Sequence, residues 1–222
     1  GKIGNRKSAI ENFMNAGFSN LITLKKQLLA AGVVPSTDFD APITALGLGV
    51  AAAFEAYCNR QFARVENDTF ICTADRDHAY VPRAPMETFT SIELKADLAT
   101  GWEMQTGLVL NVNNASGLVY WGAGIYFQWA QMRITYTGGY WWDTTEDNTG
   151  ILPAGATPLP DNLKLAWLLQ CEMIWRVRDQ LGLSLANDGK QEAARPPADL
   201  AALTISPAVK SMLESFRRYS MI

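Results

Sequence analysis

The chain has 222 residues and a mass of 24.4 kDa, room for one large domain or two small ones. Its charged residues make up 18%, below the roughly 25% of an ordinary soluble domain, and seven tryptophans add large amphipathic side chains, so part of the surface is expected to meet another protein. A net charge of −3, from 19 Lys and Arg against 22 Asp and Glu, argues against tight nonspecific nucleic-acid binding, which draws its affinity from neutralised phosphates.

Residues 1–20 mix Gly, Asn and Ser with isolated apolar residues, so a flexible arm is expected there. The segment lacks a basic region followed by an apolar core, and the chain is read as made inside the cell without a secretory signal. A first helix is expected over 23–31, ended by Gly32 and Pro35. A second is expected over 42–59, where Ile43, Leu46, Val50, Phe54 and Tyr57 recur at three- and four-residue steps and mark one buried stripe. Gly47 and Gly49 interrupt it, each costing about 1 kcal/mol relative to Ala in a helix interior. With Ala51, Ala52 and Ala53 they predict a face shaved flat for close helix packing.

From Val65 to Tyr140 the helical period stops, and short runs rich in Thr, Val, Ile, Tyr and Trp alternate with Gly, Asn, Asp and Pro. Strands are expected over 68–73, 91–95, 108–112, 118–121 and 132–136, with Asn113, Asn114, Ser116 and Gly117 forming a hairpin turn. Residues 141–160 read as a long polar loop. The strongest helix follows over 161–181, opened by Pro160 and Asp161 and closed by Gly182. Its polar residues Lys164, Gln170 and Glu172 gather on no single face, which predicts burial on most sides, either centrally or between subunits. The apolar run 163–175 falls short of the roughly 20 residues of a membrane-spanning helix, and no membrane crossing is expected. A linker over 184–197 leads to a terminal helix, with Ser206 as N-cap and Pro207 as first residue, ending near Tyr219. It is expected to lie beyond the main fold. The whole reads as α+β: a small helical bundle with an inserted antiparallel β region and an extended C-terminal tail carrying a short helix.

Chemistry-bearing patterns are sparse. The run from Gly47 to Ala52 fits the G-x-G-x-x-G/A dinucleotide fingerprint, but residues 43–46 are too few for the required strand and no βα repeat follows. His78, the one histidine, sits in a charged turn and has no evident pocket or orienting partner. Cys58, Cys72 and Cys171 are too widely spaced for a zinc site and odd in number, and read as reduced thiols. Asp143, Glu146 and Asp147 beside Trp141 and Trp142 imitate a sugar-cleaving platform, but catalytic acids are normally held on rigid elements across a cleft. Asn67 and Asn114 fit glycosylation sequons by chance. No catalytic residue, cofactor or metal is assigned, and the chain is read as a non-enzyme.

The terminal helix carries Leu203, Val209, Met212, Leu213 and Phe216 and ends on Arg217, Arg218 and Tyr219. Tethered by its linker, it is expected to dock onto another chain.

The order of Tyr57-Cys58-Asn59-Arg60-Gln61-Phe62 at a helix end, a strand closing in Tyr136-Thr137-Gly138-Gly139-Tyr140, and a helix opened by Pro160 resembles the head-to-tail connector (adaptor) proteins of tailed bacteriophages. The resemblance spans about three quarters of the chain, over 21–181. It implies a homo-oligomeric ring, usually of twelve subunits, beneath the portal vertex of the capsid in the virion neck, assembled in the host bacterial cytoplasm. It further implies a platform for a tail, stopper or terminator protein, and a channel that DNA crosses without specific binding. Under this resemblance Tyr57 and Phe62 anchor the second helix to the sheet, Gly138 and Gly139 turn the last strand outward with one at positive φ, and Pro160 starts the core helix. The tail over 196–222 becomes the portal-docking element. The competing reading is a carbohydrate-binding module, which requires Trp102, Trp121, Trp129, Trp141 and Trp142 as exposed, aligned indoles.

Overall fold

The computed structural model describes residues 20–29, 33–34, 36–73, 77–97, 99, 101–106, 110–121, 131–145, 149–177 and 204–218. Helices and antiparallel strands are segregated, an α+β arrangement. The chain divides into two units: a helical one, from the described residues up to Cys58, those of 143–150 and those after Pro160, and a β unit over 59–142 and 151–159.

In the helical unit, α1 (Leu21–Leu28) begins where the Asn20 side chain accepts from the Thr23 amide at 2.8 Å, relieving one of the unpaired N–H groups of a helix start. Asn20 is itself buried, so the expected arm does not extend to it, and residues 1–19 lie outside the described residues. Helix α2 (Asp40–Cys58) buries Ile43, Gly47, Val50, Ala51, Phe54 and Cys58, and stops at Asn59, whose φ of 49° is the left-handed conformation that ends helices. Lys25, also buried, donates to Asp40 Oδ1 at 2.6 Å and ties the first two helices together.

Helix α3 (Asp161–Arg176) is capped by Pro160, whose carbonyl accepts from Leu163 and Lys164 at 3.0 Å. It buries Leu163, Ala166, Trp167, Cys171, Ile174 and Trp175. The Trp167 indole donates to the Gly47 carbonyl at 3.0 Å, so the absent side chain at Gly47 marks a close approach of α2 and α3. Gly49 differs: it is exposed, and a methyl group built there meets nothing within 4 Å. Within this chain the close approach is at Gly47, while Gly49 faces away from α3, because helical rotation turns the two glycines to different sides. Burial of α3 on most sides is also corrected within this chain, since Leu165, Leu169 and Met173 are exposed.

The terminal helix α4 (Pro207–Leu213) starts at Ser206, whose hydroxyl accepts from the Val209 amide, and runs into a 3₁₀ turn over Glu214–Phe216. Val209, Leu213 and Phe216 are buried in the same unit as α2 and α3. The expectation that this helix lies beyond the main fold is thus overturned. Its apolar face finds cover at home, which a seven-residue helix needs in order to persist.

The β unit carries a four-stranded antiparallel sheet ordered β1 (Val65–Thr73), β7 (Gln131–Gly138), β3 (Met86–Lys95), β4 (Glu103–Met104). A smaller sheet is ordered β2 (His78–Tyr80), β6 (Leu118–Tyr120), β5 (Asn111–Asn113). The hairpin β5–β6 turns at Gly117, with φ of 70°, as its Asn and Gly residues predict. A bulge in β1 between Val65 and Asp68 places Asn67 at φ of 50°. One apolar core joins residues of both sheets, among them Val81, Met86, Ile92, Val119, Trp121, Ile134 and Tyr136. The expected long polar loop contains a further short parallel pair, β8 (Tyr140–Trp141) with β9 (Thr157–Pro158).

Candidate functional site

Two clusters gather the residues singled out in the sequence. In the β unit the strand β7 ends at Gly138 and Gly139. A methyl group on Gly138 would lie 2.8 Å from the Arg83 carbonyl oxygen, and one on Gly139, at φ of 99°, would lie 2.5 Å from that of Ala63. The missing side chains let three segments bond directly: Gly139 N–H donates to Pro85, Tyr140 N–H to Phe62, and Arg64 N–H to Tyr140. Phe62 stacks on Tyr140 with ring centroids 6.4 Å apart, and the Arg60 guanidinium lies 5.1 Å from one ring centroid and 5.6 Å from the other while donating to the Ala84 carbonyl. Beneath them Arg83, buried, pairs with Asp68 at 2.8 Å and donates to the Ala63 carbonyl. Tyr136 donates to Asp68, and burial pushes its phenol pKa up. This is a clamp: Arg60 and Arg83 donate to backbone carbonyls, while Arg83 and Tyr136 share the Asp68 carboxylate.

The second cluster fixes the terminal helix. Gln170, buried in α3, donates to the Thr204 carbonyl at 3.1 Å and accepts from the Ser206 amide at 3.0 Å. Arg218 N–H donates to the Cys58 carbonyl at 2.9 Å. Tyr57 donates to Glu214 at 3.1 Å beneath the Arg217 guanidinium, 5.1 Å from its ring centroid. Tyr57 therefore holds the tail helix where the sequence assigned it to the sheet. Of the tail residues expected to reach a partner, Val209, Leu213 and Phe216 face inward, Met212 and Arg218 are half-buried, and Arg217 is exposed. Leu203 and Tyr219 lie outside the described residues. Gln170 was missed as a functional position, because a lone amide in an apolar helix carries no sequence signal of what it will bond.

The enzyme-like patterns dissolve into structure. Asp143 accepts from the Thr145 amide at 2.9 Å, the Thr145 hydroxyl at 2.6 Å and the Gly150 amide at 2.9 Å, closing a loop onto itself, while Glu146 and Asp147 lie outside the described residues. His78 opens strand β2 opposite Tyr120 rather than sitting in the expected turn, and its ring meets Asp77 at 2.6 Å and the Tyr80 ring edge. Cys58 and Cys171 are buried thiols, Cys58 donating to the Leu213 carbonyl at 3.8 Å, and desolvation holds the Cys171 pKa above the ordinary value. Among the described residues no cluster of His, Cys, Asp or Glu is arranged to hold a metal ion. None of the described tryptophans is fully exposed: Trp121 is buried in the core and Trp102 lies under Arg133, 4.6 Å from its ring centroid, while Trp129 lies outside the described residues. Among the described residues one helix, Asp40–Cys58, is long and apolar enough to cross a membrane by length and composition, with a third of it buried.

No protein-family profile and no curated protein matches the chain. Among solved structures it is similar to a chain of the neck of an empty gene transfer agent (GTA) particle computed with C6 symmetry. The identity is 16%, the TM-score 0.55, and the match covers 91% of this chain and 90% of that one. The chain shares the fold of that chain. A chain of the neck of a native GTA particle, computed with C12 symmetry, is similar at 16% identity and a TM-score of 0.46, over 83% of this chain and 86% of that one.

Proposed function

We propose that the chain is a structural, non-enzymatic protein of the neck of a tailed phage-like particle. Copies of it form a ring, a dodecamer by the family resemblance, between the portal vertex and the tail, assembled in the host bacterial cytoplasm. The observation that carries this reading is the neck-protein fold shared over nine tenths of both chains. The ring gives a platform for a tail, stopper or terminator protein and a channel for DNA. The mild net charge of −3 suits a passage that phosphates must cross without being held. With Val209, Leu213 and Phe216 turned inward, portal docking falls to the outward side of the terminal segment, where Lys210 and Arg217 are exposed beside Met212 and Arg218, together with Leu203 and Tyr219.

The test is mass by light scattering of the purified chain, alone and with the portal ring of its own particle, followed by negative-stain imaging. A closed ring, alone or seated on the portal, is the expected result. A monomer indifferent to the portal refutes the reading.

A further inference from the structure

Among the described residues, two helix faces in the helical unit are exposed. On α2 the residues Ala41, Ala45, Gly49 and Ala53, spaced four apart, are exposed, as are Ala52 and Ala56. No ionisable residue stands between Asp40 and Glu55. On α3 the residues Leu165, Leu169 and Met173, also spaced four apart, are 50%, 37% and 48% exposed. The first face is a shallow trough and the second a ridge of large apolar side chains. Rows at i±4 on two helices are the ones that interdigitate most often in helix packing, at interaxial distances of about 8–10 Å. The ridge from Leu165 to Met173 rises about 12 Å along its axis and the trough from Ala41 to Ala53 about 18 Å, so the trough holds the whole ridge.

Both faces belong to one helical unit, yet α2 and α3 already meet through other residues, at Gly47 and Trp167. The ridge cannot fill the trough of its own chain. A ring of more than two copies needs two different, mutually complementary patches on each subunit, because every contact is head-to-tail. We propose that the Leu165, Leu169 and Met173 ridge of one copy seats in the Ala41, Ala45, Gly49 and Ala53 trough of the next, and that this contact closes the ring. The inference rests on the ring reading above. It commits to a second copy over a lipid bilayer because the exposed residues of this face are alanines and a glycine, which gain little from hydrocarbon but admit the close approach of another helix. Between Asp40 and Glu55 the helix has no charge for the contact to strip of water.

Each face is broken separately in the full chain, by Gly49→Trp, which fills the trough, and by Leu169→Asp, which charges the ridge. Both positions are exposed, so the thermal midpoint of each monomer checks that folding is intact, with Ala53→Trp and Leu165→Asp as second choices. Light scattering is expected to give a ring for the wild type and monomers for each variant. An equimolar mixture of the two variants is expected to give a dimer of twice the monomer mass and nothing larger, since together they retain one intact ridge and one intact trough. Rings that persist in either variant, or variants that stay monomeric when mixed, overturn the pairing and leave the ring reading standing. A wild type that stays monomeric even with the portal overturns both. Flotation of the wild type with phosphatidylcholine vesicles assigns the trough to a bilayer and overturns the pairing.

Discussion

Gly139 carries a demand no other residue type meets: its φ is 99°, and a methyl group there would lie 2.5 Å from the Ala63 carbonyl oxygen. Gly139→Ala is expected to cost about 3 kcal/mol or more, combining left-handed strain with separation of the 62–64 segment from the strand end. Urea unfolding checks this, and a loss below about 1 kcal/mol would show that the clamp relaxes freely. Gly49→Ala is expected to stabilise by about 0.5–1 kcal/mol, since the helical site is exposed and open. The two positions separate what the sequence could and could not tell. A Gly-Gly pair at a strand end announces a turn by itself, whereas Gly47 and Gly49 look alike until helical rotation puts one under Trp167 and the other in solvent. A pH effect belongs at this scale too. The hydrogen bond from Arg133, 2.6 Å long, holds the Glu93 carboxyl below its usual range. A carboxyl depressed in the folded state stabilises above its unfolded value, about 4.3, and loses that contribution as pH falls through the folded value. The stability advantage of the wild type over Glu93→Gln should therefore be steady above about pH 5 and shrink on acidification, and an advantage that grows toward acid contradicts the assignment.

At the scale of elements, the long helices were legible because the stripe Ile43, Val50, Phe54 coincides with the buried side of α2. The short strands β2, β4, β8 and β9 were not. Two or three residues carry no period, and their partners are set by distant pairings such as Tyr140 with Thr157. The placement of α4 was the largest miss: its amphipathic pattern says that it must be covered, while the choice of cover is written in Gln170 and the Cys58 carbonyl, far away in the chain. Leu213→Ala, which empties a fully buried site, is expected to destabilise the protein by about 2–5 kcal/mol. Removal of residues 196–222 should lower the thermal midpoint by exposing the α3 surface against which α4 packs. An unchanged midpoint for the truncated chain would mean that the tail is a detachable arm after all.

Across the whole molecule, the β unit is inserted in sequence between helices of the other unit, and the chain passes between the two at residues 58, 142, 150 and 159. The sequence carried this order through its motifs, a helix closed by an aromatic residue and Cys58, a strand closed by Gly138-Gly139, and a helix opened by Pro160. It could not carry the uncovered faces, because an apolar residue destined for a neighbouring copy is written as one destined for the core. The low charge of 18%, the exposed Leu165, Leu169 and Met173 and the small-residue face of α2 are what the proposed contact between copies would cover. The measurement that tests this account most directly is negative-stain imaging of the purified chain with the portal ring of its own particle, with mass by light scattering. The account predicts a closed ring with rotational symmetry and a mass that is a whole multiple of 24.4 kDa, seated coaxially on the portal. A monomer that leaves the portal bare contradicts it.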